Sequence, residues 1–353
     1  AAVDGEPRRV EVAEDLLRRA TLVCERIAAG IETLCDPKVL QAFALANKVM
    51  AVAARQRHLY HGQSAVVPTW RPFQLAFLLL NLAAIAKPQH PDRELVDLLF
   101  FPTGGGKTEA YLGLAAFTLV HRRLQNPGIE GAGLSVLMRY TLRLLTLDQL
   151  SRASTLICAL ELERKQRVDL LGDWPFEIGL WVGRAATPNR MGRKGDNDRE
   201  SARAKVIAYG NNERKGSPIP LENCPWCNTR FNQSSFRLLP HQKADEPTDL
   251  RIYCSSRDCK FTRDDPLPIV AVDEPIYRRL PCFLIATVDK FAAMPWTGEV
   301  GGFFGNVDRY DHDGFYGPST PGLGRPLPKG CLPPPDLVIQ DELHLISGPM
   351  GTI

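Results

Sequence analysis

Apolar residues recur at Val12, Leu16, Leu17, Ala20, Val23, Ile27 and Ile31, close to the helical period, and predict a long helix. The pattern resumes over residues 38–54 after Asp36-Pro37, a pair suited to a helix start, so residues 9–57 read as helical. A Pro-containing connection, 62–70, leads to Arg71-Pro72-Phe73-Gln74, which opens a strongly apolar helix ending near Ala86. From residue 95 the period changes. Residues 95–101 form a short apolar run that ends in Pro-Thr-Gly-Gly-Gly and predicts a buried strand, and a helix follows to about Leu124. Residues 134–139, 177–182, 282–288 and 336–340 are further strand candidates, and residues 147–168 are helical in pattern. Strands alternating with helices predict a parallel α/β sheet covered on both faces.

Two stretches break this rhythm. Residues 184–216 are polar and basic, with Arg184, Arg190, Arg193, Lys194, Arg199, Arg203, Lys205, Arg214 and Lys215. They read either as a solvated loop or as a lining for phosphates. Residues 298–335 hold nine Gly and seven Pro, a composition expected to form a long unpacked loop that is either passive or a gate. The expected organisation is a helical segment, 1–68, then an α/β domain, 69–353, carrying an insertion at 184–281 and the Gly/Pro-rich loop at 298–335.

Composition narrows the class. The 353 residues are 44% apolar and 24% charged with a net charge of +3, ordinary for a globular chain able to bury a large core. The balance alone does not argue for nucleic acid. The longest nearly unbroken apolar stretch, 75–86, is too short to span a bilayer as a helix, and no secretory signal opens the chain. A cytoplasmic protein without a membrane segment is expected. The missing initial Met suggests a piece of a longer protein. Nine cysteines cannot all pair, and four of them fall in two close pairs, which points to metal in a reducing compartment.

The sharpest motif is Phe101-Pro-Thr103-Gly104-Gly105-Gly106-Lys107-Thr108, followed by Glu109. Glycines let backbone wrap a phosphate chain, and a helix N-terminus supplies positive partial charge. Lys107 would reach the β- and γ-phosphates, and Thr108 would hold Mg²⁺. The usual first glycine of such a loop is replaced by Phe101. The apolar run before Gln340 delivers Asp341 and Glu342 to the end of a strand, where ligands bind in such sheets. Asp341 would complete the Mg²⁺ shell through water, and Glu342 would orient and deprotonate the attacking water. Together the two motifs point to nucleoside triphosphate hydrolysis.

These residues resemble the superfamily 2 helicases and translocases. Asp341-Glu342-Leu343-His344 is similar to their DExH form of motif II, which adds His344 to the nucleotide site. Arg71-Pro-Phe-Gln74 resembles a Q-motif, and by that resemblance Gln74 would read adenine and favour ATP. The run from Met138 to Gln149 is similar to motif Ia, implying nucleic-acid contacts from Arg139, Thr141 and Arg143. Ile285-Ala-Thr287-Val-Asp-Lys290-Phe291 resembles a further strand-contacting motif, with Thr287 and Lys290 as its candidates. For Gln74 the alternative is an ordinary polar residue at a helix start, and for the last two motifs it is a structural or packing role. Residues 69–353 would then be the first RecA-like motor domain, with the second absent from this chain.

A narrower resemblance, over about residues 40–353, is to the DrmA helicases of bacterial DISARM anti-phage systems. It rests on the phosphate-loop run through Tyr111, on Ile178-Gly-Leu-Trp-Val-Gly183 with Thr187-Pro-Asn189, and on residues 340–348. It implies DNA as the polymer, single-stranded or with a single-stranded overhang, and a DrmB-like companion protein. An RNA helicase, or an ATP-switched DNA-binding scaffold without processive unwinding, remains the alternative.

Cys224-Pro-Trp-Cys227 and Cys254-Ser-Ser-Arg-Asp-Cys259 have the spacing of a structural Zn²⁺ ribbon at about residues 220–264. An iron–sulfur cluster is the alternative. Cys24, Cys35, Cys158, Cys282 and Cys331 read as plain packing residues.

Overall fold

The computed structural model describes residues 7–60, 62, 67–100, 105–140, 147–184, 186–318, 320 and 322–341. It opens with α1 (Pro7–Thr33), α2 (Pro37–Tyr60) and α3 (Pro72–Ala86). Each starts on a proline, whose fixed φ and missing N–H suit the first helical position. Asp36 Oδ1 accepts from the Lys38 N–H at 2.8 Å and caps α2. Gly30 allows α1 to meet α3 at backbone contact, since a Cβ there would sit 1.8 Å from the Leu79 carbonyl oxygen.

The α/β part follows as α4 (Lys107–Gln125), β1 (Val136–Tyr140), α5 (Leu147–Gln166), α6 (Val168–Leu171) and β2 (Ile178–Trp181). It continues through α7 (Ala202–Asn211), β3 (Phe236–Leu239), β4 (Asp249–Ile252), β5 (Ile269–Val270), α8 (Asp273–Arg279), β6 (Phe283–Thr287) and α9 (Val288–Ala293). β7 (Arg309–Tyr310), β8 (Phe315–Tyr316), β9 (Arg325–Pro326) and β10 (Leu337–Gln340) complete it. The main sheet has the order β10-β1-β6-β2-β5, and every pair is parallel. This is the parallel α/β sheet expected from the sequence, in an arrangement compatible with a RecA-like fold. No described helix is long and apolar enough to cross a membrane.

Strand periodicity divides the core into two layers. Val136, Met138, Tyr140, Ile178, Leu180, Phe283 and Ile285 face one side and pack with α2, α4 and α5. Leu137, Trp181, Leu284 and Ala286 face the other and pack with Ile276 and Leu280 and with Val300, Phe303, Val307, Phe315, Leu327 and Leu332. The Gly/Pro-rich segment is therefore a packed element, not the unpacked loop its composition suggests. It forms a one-sided cover with a 3-10 helix over Gly298–Phe304 and a small sheet of order β8-β7-β9. Its large side chains supply apolar area to a sheet face that must be buried. Its glycines admit close backbone contacts: a Cβ on Gly305 (φ +86°) would sit 2.0 Å from the Leu332 carbonyl oxygen.

Two other expectations need correction. Residues 95–100 are not a buried strand. They have no sheet partner among the described residues, and Val96 and Phe100 are 94% and 85% exposed. Arg26 on α1 grips Asp97 with two donors at 2.7 and 2.8 Å, and Asp92 at 2.7 Å, holding the segment along the helical layer. Of the cysteines read as packing residues, only Cys158 and Cys282 are buried; Cys24, Cys35 and Cys331 are exposed. The basic stretch carries a helix, α7, and ion pairs within its own module, Arg184–Asp198, Lys194–Asp245, Arg203–Asp245 and Lys205–Glu200, with Arg184 and Lys194 exposed.

The cysteine-bearing insertion is fastened to the amino edge of the main sheet. Arg279 pairs with Glu177 and reaches Asp249 at 3.5 Å, and Arg251 pairs with Asp249 at 2.6 Å. Glu177 precedes β2, Arg279 ends α8, and Asp249 and Arg251 lie on β4, so one charge network, buried at Glu177 and Arg279 and half-buried at Asp249 and Arg251, joins three elements.

Candidate functional site

The glycine turn closes directly into α4. Gly106 has φ +91°, a left-handed conformation that favours glycine, and it precedes the first helical residue, Lys107. The first N–H groups of α4 lack intrahelical acceptors and give this end positive partial charge. The turn is braced from α3. Arg71 Nη1 donates to the Gly105 carbonyl at 2.7 Å, and Gln74 Nε2 donates to the Gly106 carbonyl at 2.8 Å. Gln74 is buried, and its Oε1 accepts from the Arg71 N–H at 2.8 Å. A Cβ at Gly106 would stand 2.7 Å from Gln74 Nε2.

Glu109, in the first turn of α4, accepts from Arg152 Nη1 at 2.6 Å and faces Arg57 Nη1 at 3.8 Å. Two residues further along, the Tyr111 hydroxyl donates to Asp341 Oδ2 at 3.0 Å and stands 3.4 Å from Thr108 Oγ1. Gln149 Nε2 approaches the same carboxylate oxygen at 3.4 Å. Burial and the neighbouring Asp341 carboxylate push the Tyr111 phenol well above its ordinary range, so it serves as a neutral donor. Asp341 follows β10, whose register against β1 carries it to the carboxyl edge beside the turn. Thr108 and Asp341, the expected Mg²⁺ residues, are thus both within hydrogen-bond reach of one hydroxyl. The donor set of an ammonium, helix N–H groups, a hydroxyl and a carboxylate suits a magnesium-bound polyphosphate.

Of the sequence-predicted residues, Gln74, Gly105, Gly106, Lys107, Thr108, Glu109 and Asp341 are gathered at this edge. Thr103, Gly104, Thr141, Arg143, Glu342 and His344 lie outside the described residues. Arg139 stacks on Phe291 with its guanidinium carbon 5.5 Å from the ring centre. Tyr140 and Thr287 are register partners on β1 and β6, and Thr287 is buried. Lys290 turns inward: it is buried, and its Nζ lies 2.5 Å from Asp273 Oδ2. Sequence reasoning missed Tyr111, Arg71, Arg57 and Arg152 as contributors. Tyr111 had one usable signal, since it lies three residues after Thr108 on the same helical face.

The four paired cysteines converge. All four Sγ atoms lie within 4.8 Å of one another, with Cys227–Cys254 at 3.3 Å and Cys224–Cys259 at 3.9 Å. Zn–S bonds of about 2.3 Å in a tetrahedron put sulfurs about 3.8 Å apart, so this group could hold one metal ion. The N–H groups of Ser256 and Phe261 point at Cys254 and Cys259 Sγ, at 3.4 and 3.5 Å.

Fold and site describe a parallel α/β domain whose polar residues converge at the carboxyl edge of its sheet, next to a helix N-terminus. No known family profile matches the chain. The sequence is 37% identical over 369 residues to the DISARM protein DrmA of Bacillus paralicheniformis. The match covers 97% of this chain but 32% of that protein, so the chain spans about a third of the length of its curated relative. The similarity supports a DrmA-like relationship.

Proposed function

We propose that this chain is the first RecA-like motor portion of an ATP-dependent superfamily 2 DNA helicase or translocase acting in anti-phage defence, as a DrmA-like protein. The observation that carries the reading is the convergence of the Gly105–Thr108 turn and Asp341 on the Tyr111 hydroxyl, from positions far apart in the chain. Lys107 and the N–H groups of α4 would neutralise phosphate charge. Thr108 and Asp341 would hold Mg²⁺, which when bound offsets charge on the phosphate oxygens. Glu342, adjacent to Asp341, would orient the attacking water and take its proton. Gln74 would address the adenine with the amide hydrogen not committed to Gly106. Arg139 and Thr287, near the carboxyl ends of neighbouring strands, are the described candidates for the nucleic-acid track, together with Thr141 and Arg143. Lys290 serves the fold, since its ammonium is committed to Asp273.

The cysteine group would hold a structural Zn²⁺. Its sulfur separations match a single tetrahedral ion. An iron–sulfur cluster would spread its thiolates over separate irons and hold them further apart. A DrmB-like protein is the expected partner.

The deciding experiment is ATP turnover by the full-length protein with and without single-stranded DNA, beside Lys107→Ala and Glu342→Gln. DNA-stimulated turnover that collapses in both variants supports the motor. Stimulation by RNA alone redirects the substrate. No turnover with either polymer, despite ATP binding that needs Lys107, leaves an ATP-switched binding module.

A further inference from the structure

The Cys224–Cys227 turn is built into the helical layer behind the phosphate turn. Its two inner residues offer their carbonyls to that layer. Pro225 O accepts from the Tyr60 hydroxyl at 2.9 Å and lies 2.8 Å from Thr155 Oγ1. Trp226 O accepts from Gln56 Nε2 at 2.7 Å. Thr155 is wholly buried, and its single hydroxyl proton is shared between Pro225 O and Ser151 O at 2.7 Å. Tyr60 and Thr155 also touch each other, at 3.2 Å. The cysteine turn is therefore clamped between α2, which carries Gln56 and Tyr60, and α5, which carries Thr155.

The same two helices hold the start of α4. Arg57 is three residues before Tyr60, and Arg152 is three residues before Thr155. Both guanidiniums address Glu109 Oε1, at 3.8 and 2.6 Å. The other oxygen of Glu109 lies 3.6 Å from where a Cβ on Gly106 would be. Neighbouring turns of α2 and α5 thus meet the cysteine turn on one side and the phosphate turn on the other.

We infer that the metal state of the cysteine group sets the position of the phosphate turn through this clamp, with Tyr60 and Thr155 as positioning residues. The inference rests on the nucleotide-binding reading above. Its physical basis is local. An ion bonded to all four sulfurs holds them within 4.8 Å of one another; when it leaves, the sulfurs take up protons and nothing bonds the two cysteine pairs together. With an ion bound, both ends of the turn are pinned and the carbonyls of Pro225 and Trp226 stay where Tyr60, Thr155 and Gln56 need them. Without it the turn relaxes, and the Pro225 and Trp226 carbonyls no longer tie Tyr60 and Gln56 on α2 to Thr155 on α5, so the two helices lose the link that fixes their positions. Arg152 and Arg57 move with their helices, and Glu109 with them. Linkage makes the effect reciprocal: nucleotide must tighten the metal by the factor by which metal tightens nucleotide.

The test uses the full-length protein and two readouts, affinity for a fluorescent ATP analogue with Mg²⁺ and affinity for Zn²⁺ against a chromogenic chelator. Removing zinc is expected to weaken the analogue by about five-fold or more, and saturating analogue to tighten zinc by the same factor. Tyr60→Phe combined with Thr155→Val should keep one zinc per chain while bringing that coupling factor close to one. A merely structural role for these hydroxyls would lower thermal stability and leave the factor intact. Analogue affinity indifferent to zinc, in protein still folded by circular dichroism, overturns the inference and leaves the nucleotide reading standing. If the stripped protein unfolds, the zinc-loaded double variant decides, and wild-type coupling in it overturns the inference. Analogue that binds neither wild type nor Lys107→Ala, with zinc present, overturns both readings together.

Discussion

Tyr111 donates a hydrogen bond to Asp341 across the seam between α4 and β10, and the same hydroxyl reaches Thr108. The contact ties the two halves of the expected Mg²⁺ site before any ligand arrives. Tyr111→Phe keeps the ring in the core and removes only this tie. A hydrogen bond to a charged group contributes about 1.5–3 kcal/mol, so the variant should lose about that much stability and, with Thr108 and Asp341 no longer held together, bind Mg²⁺–nucleotide more weakly. Calorimetric titration at several Mg²⁺ concentrations checks this, and affinity equal to wild type would remove Tyr111 from the site.

Gln74 spends one amide hydrogen and one oxygen lone pair on bracing the loop. Gln74→Ala leaves the Gly106 carbonyl and the Arg71 N–H without this partner. Stability should fall by about 1–3 kcal/mol, and any preference for adenine over guanine nucleotides should shrink. Urea unfolding and a competition assay with ATP and GTP read the two effects separately. Gln74→Glu should spare the Arg71 contact and lose the Gly106 one.

The α1–α3 contact is tighter than side chains allow. A Cβ on Gly30 would lie 1.8 Å from the Leu79 carbonyl oxygen, and backbone cannot yield as a flexible side chain would. Gly30→Ala should therefore lower stability by about 1–3 kcal/mol even though alanine favours helix. Thermal unfolding is the measurement, with Ala29→Gly as a control for propensity on the same helix.

Asp273 is buried against Lys290, and burial raises its carboxyl from the ordinary 3.8 to about 6. The nearby Glu274 and Asp289 charges push the same way, while Lys290 opposes them. A raised folded-state value means the native protein holds this proton more tightly than the unfolded chain does. The associated stability is present below about pH 4 and is lost as pH rises through about 6, by at most roughly 3 kcal/mol. Urea midpoints measured across that interval should fall more steeply for wild type than for Asp273→Asn. Parallel profiles would exclude the titration.

The cysteine group should contain one zinc per chain by elemental analysis. Cys227→Ala should abolish it, and a strong chelator should lower the melting temperature of wild type but not of the variant. Structural zinc contributes folding free energy directly, so the shift should reach several degrees. Iron together with acid-labile sulfide in place of zinc would replace the single-ion reading.

Legibility in the sequence followed distance along the chain. The long helices, the positions of β1, β2, β6 and β10, the glycine turn and the cysteine pairs all depend on residues a few positions apart, whose spacing is the signal. Residues 95–100 show where that stops. Their apolar run has the composition of a strand, but a strand needs a neighbour to supply hydrogen bonds, and the Arg26–Asp97 pair holds them elsewhere. The segment 298–335 failed in the opposite sense, because a glycine-rich stretch looks unpacked until the exposed sheet face it covers is known.

Sequence by itself determined the alternation of elements, the candidate phosphate turn, the carboxylate after the last strand and the two thiol pairs, because backbone geometry and local side-chain chemistry set them. Tertiary structure alone decided that Tyr111 joins Thr108 to Asp341, that Lys290 points into the core, and that Tyr60 and Thr155 hold the cysteine turn. Those contacts join residues far apart in the chain. They exist only because burying both faces of one sheet forces the helices that carry them into a single arrangement.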